Sequence, residues 1–287
     1  AELLEVNAHA AAGVVGAQTA NGRSLGGEPI VLKAFPKGSK PGDFFHKVFE
    51  LVDFSIDEAQ LQQVVREQFA AFSIASPDNT ERYEALNSMA TRAILATLST
   101  PLLADASLRL TDIPLSERFS EFSFQLPVQN GLNALKLASV FSAQYASPEL
   151  PAGYAKAVAA LPFKELLGYL NGVIDLIFQH EGKWYLVDYK SNYLGDFSSD
   201  YDLPQMTEKM AEAHYFLQYH LYTLGLHRYL QVWQPGYNYA EHFGGVLYLF
   251  IKGMQASAEI RTGIFFEKPP QARIEALSAL FGAGAAP

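Results

Sequence analysis

The strongest constraint on this chain is a pair of β-rich runs, Val173 to Phe178 and Lys183 to Tyr189, on either side of His180-Glu181-Gly182. Both runs are dense in β-branched and aromatic residues, and a glycine closes the short link. That is the pattern of an antiparallel hairpin. The hairpin carries charge among its apolar residues. Asp175 lies in the first run, Asp188 near the end of the second, and Lys190 follows two residues later. Side chains alternate along a strand, so Asp188 and Lys190 share a face. Any fold for this chain must therefore place two carboxylates and an ammonium within an apolar sheet.

Around the hairpin the hydrophobic period changes. From Gly42 to about Ser99, apolar residues recur at helical spacing: Phe45, Val48, Phe49 and Val52, then Leu61, Val64, Val65, Phe69 and Phe72. Asp78 followed by Glu81 resembles a capping box for a third helix carrying Tyr83, Leu86, Ala90, Ile94 and Leu98. Phe122, Phe124 and Leu126 alternate with polar residues as in a half-buried strand. A helical insertion is predicted over about 132–167 and one long helix from about Pro204 to Tyr229. Gly245 to Ile251 reads as a buried strand, and a last helix runs from about Pro269 to Phe281. This order predicts an α/β fold with a mixed sheet flanked by helices and preceded by a helical subdomain. The expected divisions are a linker or peripheral segment at 1–40, a helical subdomain at 41–115 and the core at 116–287.

Composition bounds the chemistry. With 287 residues, 49% hydrophobic and 18% charged, the chain can bury a large core. It has no cysteine, which excludes disulfides and thiolate metal sites and fits a cytoplasmic protein. No apolar run is long enough to span a bilayer as a helix, and the N-terminus lacks a secretory pattern. The net charge of −9 argues against gripping nucleic acid with the whole surface, but not against a small metal-centred site. A first residue of Ala rather than Met suggests a fragment of a longer chain or a processed product.

Two readings of the charged hairpin are open. In one it is structural, with Asp188 paired to Lys190 and Asp175 capping a turn. In the other the two carboxylates hold a divalent cation, because apposed buried carboxylates are costly without positive charge. Magnesium favours one or two carboxylates plus water and substrate phosphate. The lysine would then stabilise phosphate charge or orient an attacking water.

The sequence resembles the C-terminal nuclease domain of the RecB-type beta subunits of exodeoxyribonuclease V, a branch of the PD-(D/E)xK superfamily. The resemblance begins at Phe35-Pro-Lys-Gly-Ser-Lys-Pro-Gly42 and continues through Phe45-His46-Lys-Val-Phe49-Glu50 and Asp53-Phe54. It resumes at Glu121-Phe-Ser-Phe-Gln-Leu-Pro127 and at the Asp175, Asp188 and Lys190 hairpin. Leu217-Gln218-Tyr219-His-Leu-Tyr222 and His242-Phe-Gly-Gly-Val-Leu-Tyr248 complete it, in the family's order. The first aspartate follows Val-Ile rather than Pro, so the "PD" is not literal.

The resemblance implies a restriction-endonuclease-like core and magnesium-dependent hydrolysis of DNA, with one or two ions and manganese as a possible substitute. It implies that Asp175, Asp188, His46 and the Tyr189 carbonyl are metal ligands and that Lys190 is catalytic. Glu121 would serve a second ion or support the first, and Gln218 and Tyr222 would contact phosphate or steady the lysine. Glu50 is read as support for His46, with a solvated-face role as the rival. Tyr215, Tyr219, Tyr222 and Tyr229 offer stacking platforms or, for most of them, core packing. His180, His214, His220 and His227 are too weakly constrained to assign. The implied partners are DNA, the gamma and alpha subunits and the strand-exchange recombinase, in repair of double-strand breaks. No phosphate-binding Gly-x-x-x-x-Gly-Lys-Ser/Thr loop occurs, so no helicase motor is expected here. The rivals are a non-catalytic docking module of the same fold and a nuclease acting outside any helicase.

Overall fold

The computed structural model describes residues 4–5, 27–105, 108–142, 147, 150–163, 165–255 and 261–282. Of the expected 1–40 segment, most lies outside the described residues, including Asn21-Gly22 and Gly26. Parts of the expected insertion, at 143–146, 148–149 and 164, lie outside them as well.

The hairpin forms where the sequence places it. Strand β3 (Leu166–His180) and strand β4 (Lys183–Lys190) pair antiparallel, closed by His180 opposite Lys183. Only Glu181 and Gly182 turn the chain, with φ of 48° and 74°. Two positive φ values match the twist of the flanking strands, and glycine relieves the strain at the second. Strand β2 (Arg118–Leu132) runs antiparallel along the other side of β3, and β1 (Leu4–Glu5) pairs parallel with Leu170 and Asn171. Strand β5 (Phe243–Phe250) lies parallel to β4, and β6 (Ile264–Glu267) pairs antiparallel with β5. The sheet is mixed, as expected.

Alternation along the strands feeds two cores. On one face, Tyr185, Val187 and Tyr189 of β4 and Leu247 and Leu249 of β5 pack with α1 (Ser39–Leu51), α2 (Glu58–Phe72) and α3 (Thr80–Ser99). Helix α3 starts one residue later than the Asp78–Glu81 pattern suggests: Asn79 accepts from the Arg82 N–H at 3.1 Å. On the other face, Leu186 of β4 and Val246, Tyr248 and Phe250 of β5 pack beneath α6 (Leu203–Glu212), α7 (Tyr215–Trp233) and α8 (Gln271–Phe281). Helices α6 and α7 form the crossover that parallel strands β4 and β5 require.

Two sequence expectations change. The single helix from Pro204 to Tyr229 is two helices, because His214 takes a left-handed φ of 55° and redirects the chain. The insertion expected at about 132–167 falls between the end of β2 at Leu132 and the start of β3 at Leu166. Between them stand the short helices α4 (Ala134–Val140) and α5 (Tyr154–Ala159). The strand around Phe122 to Leu126 extends in both directions, and β6 was not anticipated. Among the described residues no helix is long and apolar enough to cross a membrane.

Candidate active site

The charged cluster lies where the β3–β4 ladder stops. The last pair is Leu176 with Val187, so one step further Asp175 stands across from Asp188. There the strands part. The Tyr189 N–H donates to Asp175 Oδ2 at 2.8 Å instead of to a strand carbonyl. The pleat of β3 also breaks at Asp175, since Ile174 and Leu176 enter opposite cores although two residues apart. Strand β2 mirrors the break. Ser120 pairs with Leu176 and Phe122 with Ile174, leaving Glu121 opposite Asp175 with a left-handed φ of 54°. A non-glycine residue held there is strained, and such strain gathers at functional sites.

Each carboxylate has a cationic partner. His46 Nδ1 lies 3.1 Å from Asp175 Oδ2, delivered by α1, whose Phe49 stacks on the Tyr189 ring at 4.1 Å. Burial opposes charging of His46, but Asp175 and Asp188 outweigh it and raise the imidazole above its ordinary range. Burial likewise works against the Asp175 carboxylate, yet His46, Lys190 and the Tyr189 N–H hold it below the usual value. Asp188 is 1% exposed, and its Oδ2 lies 2.5 Å from Lys190 Nζ. Burial pushes its carboxyl up to about 6, aided by Asp175 and opposed by Lys190. Lys190 is raised despite its burial, chiefly by Asp188.

Lys190 is caged. Its ammonium lies 4.1 Å from the Tyr215 ring centroid and 5.2 Å from that of Tyr248, and it donates to Gln218 Oε1 at 3.2 Å. The Tyr248 hydroxyl donates to the same oxygen at 2.8 Å, and Gln218 Nε2 donates to the Tyr222 hydroxyl at 3.0 Å. Two donors at Oε1 and an acceptor at Nε2 leave the amide one orientation. Gln218, one turn before Tyr222 on α7, therefore links that hydroxyl to the lysine.

The structure brings His46, Asp175, Asp188, Tyr189, Lys190, Gln218 and Tyr222 together, with Glu121 exposed at the rim. Desolvation, then Asp175 and Glu50, raise the Glu121 carboxyl. Glu50 does not support His46. It is exposed and accepts from Lys47 Nζ at 2.8 Å. Tyr215, Tyr219 and Tyr222 are 6%, 0% and 3% exposed, so they are core residues rather than stacking platforms. Sequence reasoning missed Tyr248 and Tyr215 as the walls around Lys190. A signal existed for Tyr248: it is the one phenol in the apolar run Val246 to Phe250, and a buried hydroxyl needs a partner.

Among the described residues no three His, Asp or Glu side chains form a ready cation cage. The donors nonetheless suit a hard divalent ion: two carboxylates and an imidazole facing one break in the sheet, with no sulfur.

The sequence model of the PD-(D/E)XK nuclease superfamily matches residues 31–280. The chain is 36% identical over 247 residues to the RecBCD enzyme subunit RecB of Escherichia coli K12, covering 86% of this chain and 19% of that protein. It is 32% identical over 250 residues to the Haemophilus influenzae RecB subunit, with the same coverage of 86% and 19%. Against the Mycobacterium tuberculosis H37Rv subunit, identity is 34% over 272 residues, covering 88% of this chain and 24% of the relative. The chain thus spans about a fifth to a quarter of the length of these relatives.

Proposed function

Because the chain belongs to the PD-(D/E)XK nuclease superfamily, in its RecB branch, we propose that it is a magnesium-dependent DNA nuclease domain. The observation that carries this reading is the break in the β3–β4 ladder, where Asp175 and Asp188 face each other beside the caged Lys190. Purely structural ion pairs do not require an interrupted ladder, a left-handed Glu121 and a fully oriented amide around one lysine.

In the proposed mechanism Asp175, Asp188 and His46 would hold the ion, with the Tyr189 carbonyl as a further donor. Bound magnesium supplies phosphate polarisation and a lowered pKa for water. Lys190 exchanges its contact with Asp188 for a phosphate oxygen, and Gln218 keeps its ammonium from swinging away. Its charge balances the charge that develops on the phosphate during attack. Glu121, at the rim, is placed to receive a second ion or an ordered water. Tyr222 acts on Lys190 through Gln218, and Tyr248 acts both through Gln218 and by its own ring beside the ammonium.

The relatives are named as subunits of RecBCD. We extend this to the context: DNA as substrate, the gamma and alpha subunits and a strand-exchange recombinase as partners, and repair of double-strand breaks in a bacterial cytoplasm as setting. Incubation with end-labelled single-stranded DNA should give cleavage with magnesium or manganese and none with chelator. Lys190→Ala and Asp188→Asn should each lose about 100-fold or more, in line with removal of an electrostatic group from a phosphoryl-type site. The same ions should raise the melting temperature of the wild-type chain but not of Asp175→Ala. Undiminished cleavage in both active-site variants would overturn the assignment. No cleavage and no ion-dependent stabilisation would favour the docking-module reading.

A further inference from the structure

Lys252 plays no part in this mechanism, yet it is a conspicuous buried charge. It is 3% exposed, and its Nζ has no hydrogen-bond partner among the described residues. The Phe35 ring lies beside it, with the centroid 5.9 Å from Nζ. Burial, then repulsion from Lys37, pushes the ammonium down to about 8. An unpaired buried cation is costly, and proteins keep one mainly where an anion comes to meet it.

Its position fits such a meeting. The Ile251 N–H donates to the Lys190 carbonyl at 3.0 Å, so Lys252 stands one residue past a backbone contact with the candidate catalytic lysine. Phe35 and Lys37 belong to the segment Phe35-Pro-Lys-Gly-Ser-Lys-Pro-Gly42, which leads into α1. No side chain caps that helix, and an uncapped helix N-terminus favours anions. Exposed Lys37 lies 3.1 Å from the Tyr193 ring centroid. Lys33 is nearby, ion-paired with Asp196 at 2.9 Å, and the Tyr193 hydroxyl also donates to Asp196. Asp196 faces Lys33 and Lys37, and Lys37 in turn lies close enough to Lys252 to repel it, so three lysines gather here in a chain of net charge −9.

We propose that Lys252 and Lys37, with the N-terminus of α1, form a phosphate-binding site for the DNA backbone beside the scissile position. This rests on the nuclease reading and deepens it. The strand enters across the loop before α1, and one backbone phosphate satisfies the Lys252 ammonium. The next phosphates along the strand are then presented to the Asp175, Asp188 and Lys190 cluster.

The test is binding without cleavage. Fluorescence anisotropy with a labelled oligothymidylate in chelator gives Kd as a function of salt for wild type, Lys252→Met, Lys252→Arg and Lys37→Ala. Lys252→Met should weaken binding severalfold and flatten the log–log salt slope by about 0.7, the loss of one single-strand phosphate contact. Lys252→Arg should restore both. Lys37→Ala, at an exposed position, should reduce the slope without endangering the fold. A neutral methylphosphonate at the contacted linkage should weaken wild type but leave Lys252→Met unchanged. Lys252→Met that melts no lower than wild type and keeps its Kd and slope would overturn the site while leaving the nuclease reading intact. Wild type that binds no oligonucleotide would overturn both.

Discussion

The polar cluster under α7 predicts a specific loss of stability in mild acid. His220 is completely buried, and its ring is wired at both ends. Nδ1–H donates to the Phe216 carbonyl at 2.6 Å, which leaves Nε2 to accept from Arg273 Nη1 at 3.1 Å. Only the neutral imidazole serves both bonds. Burial and the Arg273 charge push its pKa from 6.5 down to about 3. The folded value lies below the unfolded one, so the unfolded chain takes up the proton first as pH falls. The associated stability is fully present above pH 6.5 and is lost between 6.5 and 3. At about 1.36 kcal/mol per unit, a drop to pH 4.5 should remove on the order of 3 kcal/mol through this residue alone. For a chain of this size that corresponds to roughly 5–10 °C in Tm. Other carboxylates also titrate here, so the measurement is a difference: melting curves from pH 7 to 4.5 for wild type and His220→Gln, which offers Arg273 an acceptor that does not titrate. The variant should lose a little stability at pH 7 and show a shallower decline in acid. Parallel pH profiles for the two proteins would refute the assignment of the neutral imidazole.

Other perturbations read the site more directly. A Cβ added at Gly172 would come within 2.4 Å of the Phe124 ring, and one added at Gly225 of α7 would come within 2.6 Å of the same ring. Gly172→Ala should therefore cost about 1–3 kcal/mol in denaturant melts. Phe124 packs edge-on against Tyr222 at 5.7 Å, so cleavage should fall by more than the unfolded fraction explains. Tyr248→Phe keeps the ring beside Lys190 but removes the hydroxyl that orients Gln218. With about 1–1.5 kcal/mol per net hydrogen bond, steady-state assays should show kcat down roughly tenfold with KM unchanged. A change in KM alone would remove Tyr248 from the positioning chain.

What could be read in advance depended on whether the information was local. The turn at Glu181-Gly182 was legible because two residues of turn chemistry decide it, and alternation then put Asp188 and Lys190 on one face. The meeting of His46 with Asp175 had no such local signature. One lies in a helix packed on the sheet and the other on the strand beneath it, and only resemblance to a family paired them in advance. The break at His214 was hidden because apolar residues continue on both sides, so periodicity runs through a point where one φ value changes sign. Strand β2 outruns the alternation of Phe122, Phe124 and Leu126 because pairing with β3, which no local pattern reveals, carries it to Leu132. Lys252 was the least legible of all. A lysine after a strand ordinarily reads as a surface residue, and only the packing of Phe35 against it reveals a cation held out of water. Residues whose roles depend on neighbours from distant elements are thus the ones that sequence patterns miss. At this site they are the Tyr215 and Tyr248 rings beside Lys190 and the Phe35 ring beside Lys252.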